Sequence, residues 1–195
     1  VTNAAAIVGH LPCLTALLEV DFPASCGGVD GAARRGHVNI LRELNVFAIH
    51  LCDVHIHEAI ARDDAEYLRS IVAGGYQLID DALEVTLTHG SASSLDFICS
   101  QNLSTLSVSD TQSAAEAGEL ECLQVLHKHQ CPWNEDTCTS AAEEGNLECL
   151  QFAHLHGCPW DADAILSAAA GFGHLDVLVY AVDQGCAPDA SVCVE

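Results

Sequence analysis

The chain has 195 residues, half of them hydrophobic and 17% charged, with 28 acidic side chains against six basic ones and a formal charge of −22. That hydrophobic share excludes a disordered polyelectrolyte, and the acidic field disfavours direct contact with DNA or RNA phosphates. No apolar run reaches the roughly 18 residues that a membrane-spanning helix requires.

At the N-terminus, Val1–Val8 reads as the remainder of a short helix, without the charged-then-apolar shape of a signal peptide. The sequence begins at Val1 and contains no methionine, which points to a piece of a longer protein. From Leu11 onward a set of apolar columns begins. The first column runs Leu11, Val38, Ala65, Leu95, Leu120, Leu147, Leu175, with steps of 27, 27, 30, 25, 27 and 28. Two positions on stand Cys13, Ile40, Tyr67, Phe97, Cys122, Cys149 and Val177, and the next residues are Leu14, Leu41, Leu68, Ile98, Leu123, Leu150 and Leu178. A fourth column holds Phe22, Ile49, Tyr76, Leu106, Cys131, Cys158 and Cys186. The spelling is weak between Ile49 and Asp110 and strong after it, where 114–133 (AAEAGELECLQVLHKHQCPW) returns as 141–160 (AAEEGNLECLQFAHLHGCPW). A period of 20–50 residues means one small unit built repeatedly, each copy leaning on its neighbours.

Each copy reads as two helices. In the copy around residue 145, helix A is expected over Thr137–Glu144, capped by Asp136 or Thr137. Its small pair Ala141 and Ala142 allows close approach of another helix. Gly145 supports a tight turn, and helix B is expected over Leu147–His156, with an apolar arc (Leu147, Cys149, Leu150, Phe152, Ala153) wide enough for neighbours on both sides. Gly157 and Gly185 sit where a left-handed residue stops helix B, and Pro159 prevents continuation; Gln130 and Asp21 tolerate that conformation less readily. Pro188–Glu195 reads as the start of an eighth copy.

The phrases AARRGHVNILREL, AAEEGNLECLQFAHLHGC and AAAGFGHLDVLVYAVDQGCAPD resemble ankyrin repeats, and the resemblance runs over essentially the whole chain. It implies an all-α solenoid of stacked helix-turn-helix units, about seven in one domain over 1–195. His10, His37 and His174 occupy the place of the turn histidine, whose role in that family is structural hydrogen bonding; Asp64, Glu119 and Asn146 replace it elsewhere. These copies are about six residues shorter than the family's usual 33. The deficit falls after helix B, so the β-hairpin fingers are expected to be reduced or absent.

Eleven cysteines and eleven histidines raise the question of metal or redox chemistry. Cys52, His55 and His57 cluster, and His127-x-His129-x-Cys131 returns as His154-x-His156-x-Cys158. Residues two apart on a helix diverge and no C-x-x-C pair occurs, so no metal site or cofactor is expected, and the thiols read as small core hydrophobes. Equivalent cysteines of adjacent copies should lie about 8–10 Å apart, beyond the roughly 7 Å Cα limit of a disulfide, which suits a reducing intracellular, cytoplasmic setting. No nucleophile elbow, Walker loop, H-E-x-x-H or dinucleotide fingerprint occurs, so no catalytic residue is assigned.

What the resemblance implies is a protein–protein interaction scaffold or adaptor, binding through helix A and the short loops. The candidate contacts are Glu116, Glu143 and Glu148, as an acidic stripe for a basic protein partner, and Trp133 and Trp160. Each tryptophan ring is expected over the joint between its own helix B and the next helix A, although tryptophan is also enriched at binding hot spots. The competing readings are a structural spacer and a zinc- or thiol-responsive module.

Overall fold

The computed structural model describes residues 1–103 and 105–186; the expected eighth copy at Pro188–Glu195 lies outside the described residues. Within them the chain is all-α, without a strand, and its helices come in pairs. The first members are α1 (Thr2–Val8), α3 (Cys26–Ala33), α5 (Asp53–Ala61), α7 (Ala82–Thr88), α9 (Val108–Ala117), α11 (Glu135–Glu143) and α13 (Ala162–Phe172). Each is followed by a second: α2 (Leu11–Glu19), α4 (Val38–Val46), α6 (Ala65–Ala73), α8 (Ala92–Ser100), α10 (Leu120–Lys128), α12 (Leu147–Leu155) and α14 (Leu175–Asp183). The chain packs as two compact units, Val1–Phe97 and a second that begins at Ile98. In the first unit α1 packs on α3 and α5 on α7, while α2, α4 and α6 form a parallel row. In the second, α9, α11 and α13 form one row, with α10 beside α12. Each unit is thus a solenoid of repeated helix pairs. The connections 20–25, 47–52, 129–134 and 156–161 carry no hairpin.

Two left-handed corners per copy explain why the helices are so short. The corner between first and second helix is Gly9, Gly36, Asp63, Gly90, Gly118, Gly145 or Gly173; the corner after the second helix is Asp21, Ala48, Gly75, Asn102, Gln130, Gly157 or Gly185. These account for every positive φ among the described residues. Five of the corners are not glycine, and a Cβ in this region costs about 1–2 kcal/mol. Gln130 has φ 59 and an exposed side chain, so Gln130→Gly should relieve that strain without losing a packed group. The expected gain is about 0.5–1 kcal/mol, offset partly by the freer unfolded chain, and a rise in the urea midpoint measures it. Asp63→Gly should not help, because the Asp63 carboxylate accepts from the amides of Ser93 and Ser94 at 3.1 and 2.7 Å.

Both helices of a pair contribute to the core, the first with side chains such as Val29, Ile56, Ile60 and Ile165 and the second with a column of leucines. Leu14, Leu41, Leu68, Leu95, Leu123 and Leu150 are each fully buried, and burying one such side chain stabilises by about 1.5–3 kcal/mol. Leu95 belongs to this column, which corrects the register expected for the fourth copy. The Leu95 amide donates to the Ser91 carbonyl as Leu68 does to Asp64 and Leu123 to Glu119, and Leu103 donates to Ile98 as Cys131 does to Leu126. The fourth copy therefore contributes Ala92, Ser94, Leu95 and Leu103, not Leu95, Phe97, Ile98 and Leu106, and the irregular steps of 30 and 25 become 27 and 28. Ser94 is the reason for the misreading: it is fully buried at a position that is apolar in most other copies. Cys13 also departs from its column, being exposed.

Candidate functional site

In three copies the residue that opens the second helix ties that helix to the copy before it. His174 donates from Nε2 to the Glu143 carbonyl at 2.8 Å, which fixes the tautomer with the proton on Nε2. The Asn146 amide donates to the carbonyls of Ala115 and Glu116, both at 2.9 Å. In the first unit Ser91 donates to the Ile60 carbonyl at 2.6 Å. These carbonyls end the preceding first helix, where the helical ladder runs out, and those of Ile60 and Ala115 also accept from the corner amides of Asp63 and Gly118. His10 and Asp64 act differently: each accepts from an amide of its own helix, Cys13 at 3.3 Å and Tyr67 at 3.0 Å. Burial works against the charge on Asp63, yet the amides of Ser94 and Ser93 outweigh it and hold the carboxyl below its ordinary range.

Glu116, Glu143 and Glu148 are all exposed, on the last turns of α9 and α11 and the first turn of α12. Glu148, Glu119 and Glu121 lie close enough to raise the pKa of the Cys149 thiol. An open groove of about 730 Å³ between α12 and α14 adds a concave surface that the sequence did not signal, lined by Leu147, Leu175, Val179 and Tyr180 and flanked by Asp176 and Asp183.

The two tryptophans are half-buried and sit elsewhere. Trp133 stacks on His127 with centroids 4.5 Å apart and meets Phe152 edge-on at 6.4 Å. Trp160 stacks on His154 at 3.9 Å and meets Tyr180 edge-on at 6.2 Å, while the Tyr180 hydroxyl lies 2.9 Å from His154 Nδ1. His127 and Phe152 belong to α10 and α12, and His154 and Tyr180 to α12 and α14. Each ring therefore lies across two successive second helices: its own, as the expected position over that helix requires, and the following one, which the sequence did not signal. Such ring pairs contribute about 0.5–1.5 kcal/mol beyond the area they bury.

The thiols of the fourth column do more than fill space. Cys131 donates to the Ser107 carbonyl at 3.2 Å and Cys158 to the Asn134 carbonyl at 3.1 Å, a task that the Tyr76 hydroxyl performs on Ile49 in the first unit. Burial, followed by the charge of Asp110, pushes the Cys131 thiol up to about 12. Burial and then Glu148 push Cys149 up to about 11. Both stay protonated near neutrality. The unfolded chain loses these protons near 9.0 and the folded chain does not, so their contribution is complete below pH 9 and is lost as pH rises toward 11–12. Denaturation midpoints should fall across that window, and a Cys131→Ala/Cys149→Ala double variant should show a shallower fall.

The cluster Cys52, His55 and His57 divides. His57 turns away, with Nδ1 donating to the Asp53 carbonyl at 3.0 Å and Nε2 3.3 Å from Asp81, and these contacts raise its pKa, that with Asp53 most. Cys52 and His55 are joined instead by Cys26, the first residue of α3, with one ligand atom from each residue within 4.8 Å of the others. Sequence reasoning passed over Cys26 because it is one position out of register with Cys52 in the next copy.

No helix among the described residues is long and apolar enough to cross a membrane. No protein-family profile matches the chain, and no curated protein sequence matches it. Among solved structures it is similar to the human ASB11 ankyrin repeat domain, with a TM-score of 0.54 at 16% identity, over 68% of this chain and 69% of that one. Paired short helices, two left-handed corners per copy, a bonded residue opening the second helix and this likeness together establish that the chain has the ankyrin-repeat fold.

Proposed function

We propose that the chain is a non-catalytic protein-recognition module whose partner presents a lysine- or arginine-rich segment to the helix A ends and adjoining turns. The observation that carries this reading is the charge of the second unit. From Ile98 onward the sequence holds fifteen aspartates and glutamates, with Lys128 as its only lysine or arginine. The ion pairs of Arg34 with Asp30 and Glu58, Arg62 with Glu58, and Arg69 with Glu66 all fall in the first unit. Exposed carboxylates on a rigid scaffold attract a basic segment and repel phosphate backbones. Glu116, Glu143 and Glu148 are the central contacts in this proposal. Trp133 and Trp160, half-buried and stacked on histidines, are the secondary contacts in this proposal.

Fluorescence anisotropy with labelled basic, neutral and acidic peptides tests the reading. The basic peptides should bind in a salt-sensitive way, and Glu116→Lys/Glu143→Lys/Glu148→Lys should weaken them by at least about tenfold, or ~1.4 kcal/mol, with unchanged helicity. Equal binding of basic and neutral peptides, or no response to the triple reversal, would reduce this unit to a spacer.

A further inference from the structure

Three ligand-type side chains meet near the starts of two neighbouring first helices in the Val1–Phe97 unit. Cys26 is the first residue of α3, Cys52 precedes α5, and His55 is the third residue of α5. Residues at the start of a helix and three positions later bring their side chains together, as in a capping box. Cys52 and His55 therefore converge where His55 and His57 do not. Packing of adjacent copies then brings in Cys26, so that two sulfurs and a ring nitrogen lie within 4.8 Å of one another. Among the described residues, this is the one group of three or more Cys, His, Asp or Glu side chains with such geometry.

The reading of thiols as core filler does not account for this group. Cys52 is exposed and Cys26 is half-buried, unlike Cys131, Cys149 and Cys158. The Nδ1 atom of His55 is buried and has no hydrogen-bond partner, and a buried ring nitrogen in that state is rare enough to require an explanation.

We propose that Cys26, Cys52 and His55 bind a thiophilic divalent cation of the zinc(II) class. Coordination through Nδ1 gives the orphaned nitrogen its partner, each thiol releases its proton to solvent, and the two thiolates balance the charge of the ion. Tetrahedral zinc with bonds of about 2.0–2.3 Å places its ligand atoms about 3.5–3.8 Å apart. Closing the observed group to that size requires a contraction of at most about 1 Å, within reach of small side-chain rotations at half-buried and exposed positions. Three protein ligands leave the fourth position to water or to a group from a partner. Two thiolates and an imidazole select zinc over magnesium or calcium.

The test uses the full chain, kept reduced, titrated first with Co(II) and then with Zn(II). A thiolate-to-cobalt charge-transfer band should appear, saturate at one equivalent and be displaced by zinc. Cys26→Ser, Cys52→Ser and His55→Ala should each weaken binding by at least about tenfold, while Cys13→Ser leaves it unchanged. Cys52→Ser alters an exposed side chain, so helicity equal to the parent's is expected and makes its binding loss interpretable. No charge-transfer band from the folded parent chain, or a band that survives Cys52→Ser, would overturn the assignment. So would a Cys26–Cys52 disulfide that persists in reducing buffer.

Discussion

Gly145→Ala is expected to destabilise the second unit by about 2–3 kcal/mol, with a matching fall in the urea midpoint followed by tryptophan fluorescence. Two separate physical effects add. Gly145 has φ 73, where a Cβ costs about 1–2 kcal/mol. The added Cβ would also stand 2.4 Å from Nδ1 of His174, with two further ring atoms at 2.8 Å. The ring must move, and the 2.8 Å bond from its Nε2 to the Glu143 carbonyl breaks with it, a loss of about 0.5–1.5 kcal/mol. Gly157→Ala separates the two effects, since Gly157 has φ 82 but nothing within 4 Å of its would-be Cβ. It should show the backbone effect alone. Equal losses from the two variants would show that the His174 ring contributes nothing at this joint.

Leu150→Ala should have a larger effect, about 2–5 kcal/mol, because it removes a fully buried side chain whose space cannot collapse between two adjoining second helices. Leu175→Ala, three residues earlier in its copy and 70% exposed, should change stability by less than about 0.5 kcal/mol. Trp133 and Trp160 both belong to this unit, so their emission reports its unfolding directly. A Leu150→Ala chain as stable as the parent would show that the leucine column does not hold the helix pairs together.

The helix pairs were legible in the sequence because their cause is local and repeated. Small residues in the first helix, a leucine four positions after the residue that opens the second, and a stop after it recur at 27 or 28 residues. Legibility failed where one copy carried a polar residue in the core. Buried Ser94 broke the apolar column, and Leu95, Phe97 and Ile98 offered a better-looking alternative three residues along. The reach of each tryptophan to the following second helix is not legible in the sequence, because a Cys-Pro-Trp phrase gives the position of the ring along the chain, not the direction its side chain takes. His127 and His154 were the missing signal: each lies six residues before its tryptophan and provides the flat face on which the indole stacks. The acidic candidates were recognised as exposed from charge alone. Cys26 was invisible because comparing equivalent positions conceals a contact made between positions that are one residue out of step.

The bonds made by Ser91, Asn146 and His174 all run backward, from a later copy to an earlier one. A copy opened by one of these residues thus arrives with the means of attaching itself to whatever precedes it, and needs no adaptation from its host. Tandem duplication of such a segment within a unit yields a working junction at once, because the newcomer's own Asn or His meets a helix end that every predecessor already displays. Lengthening by whole copies is therefore an easy evolutionary step for this chain, and drift in the opening residue is the step that would halt it.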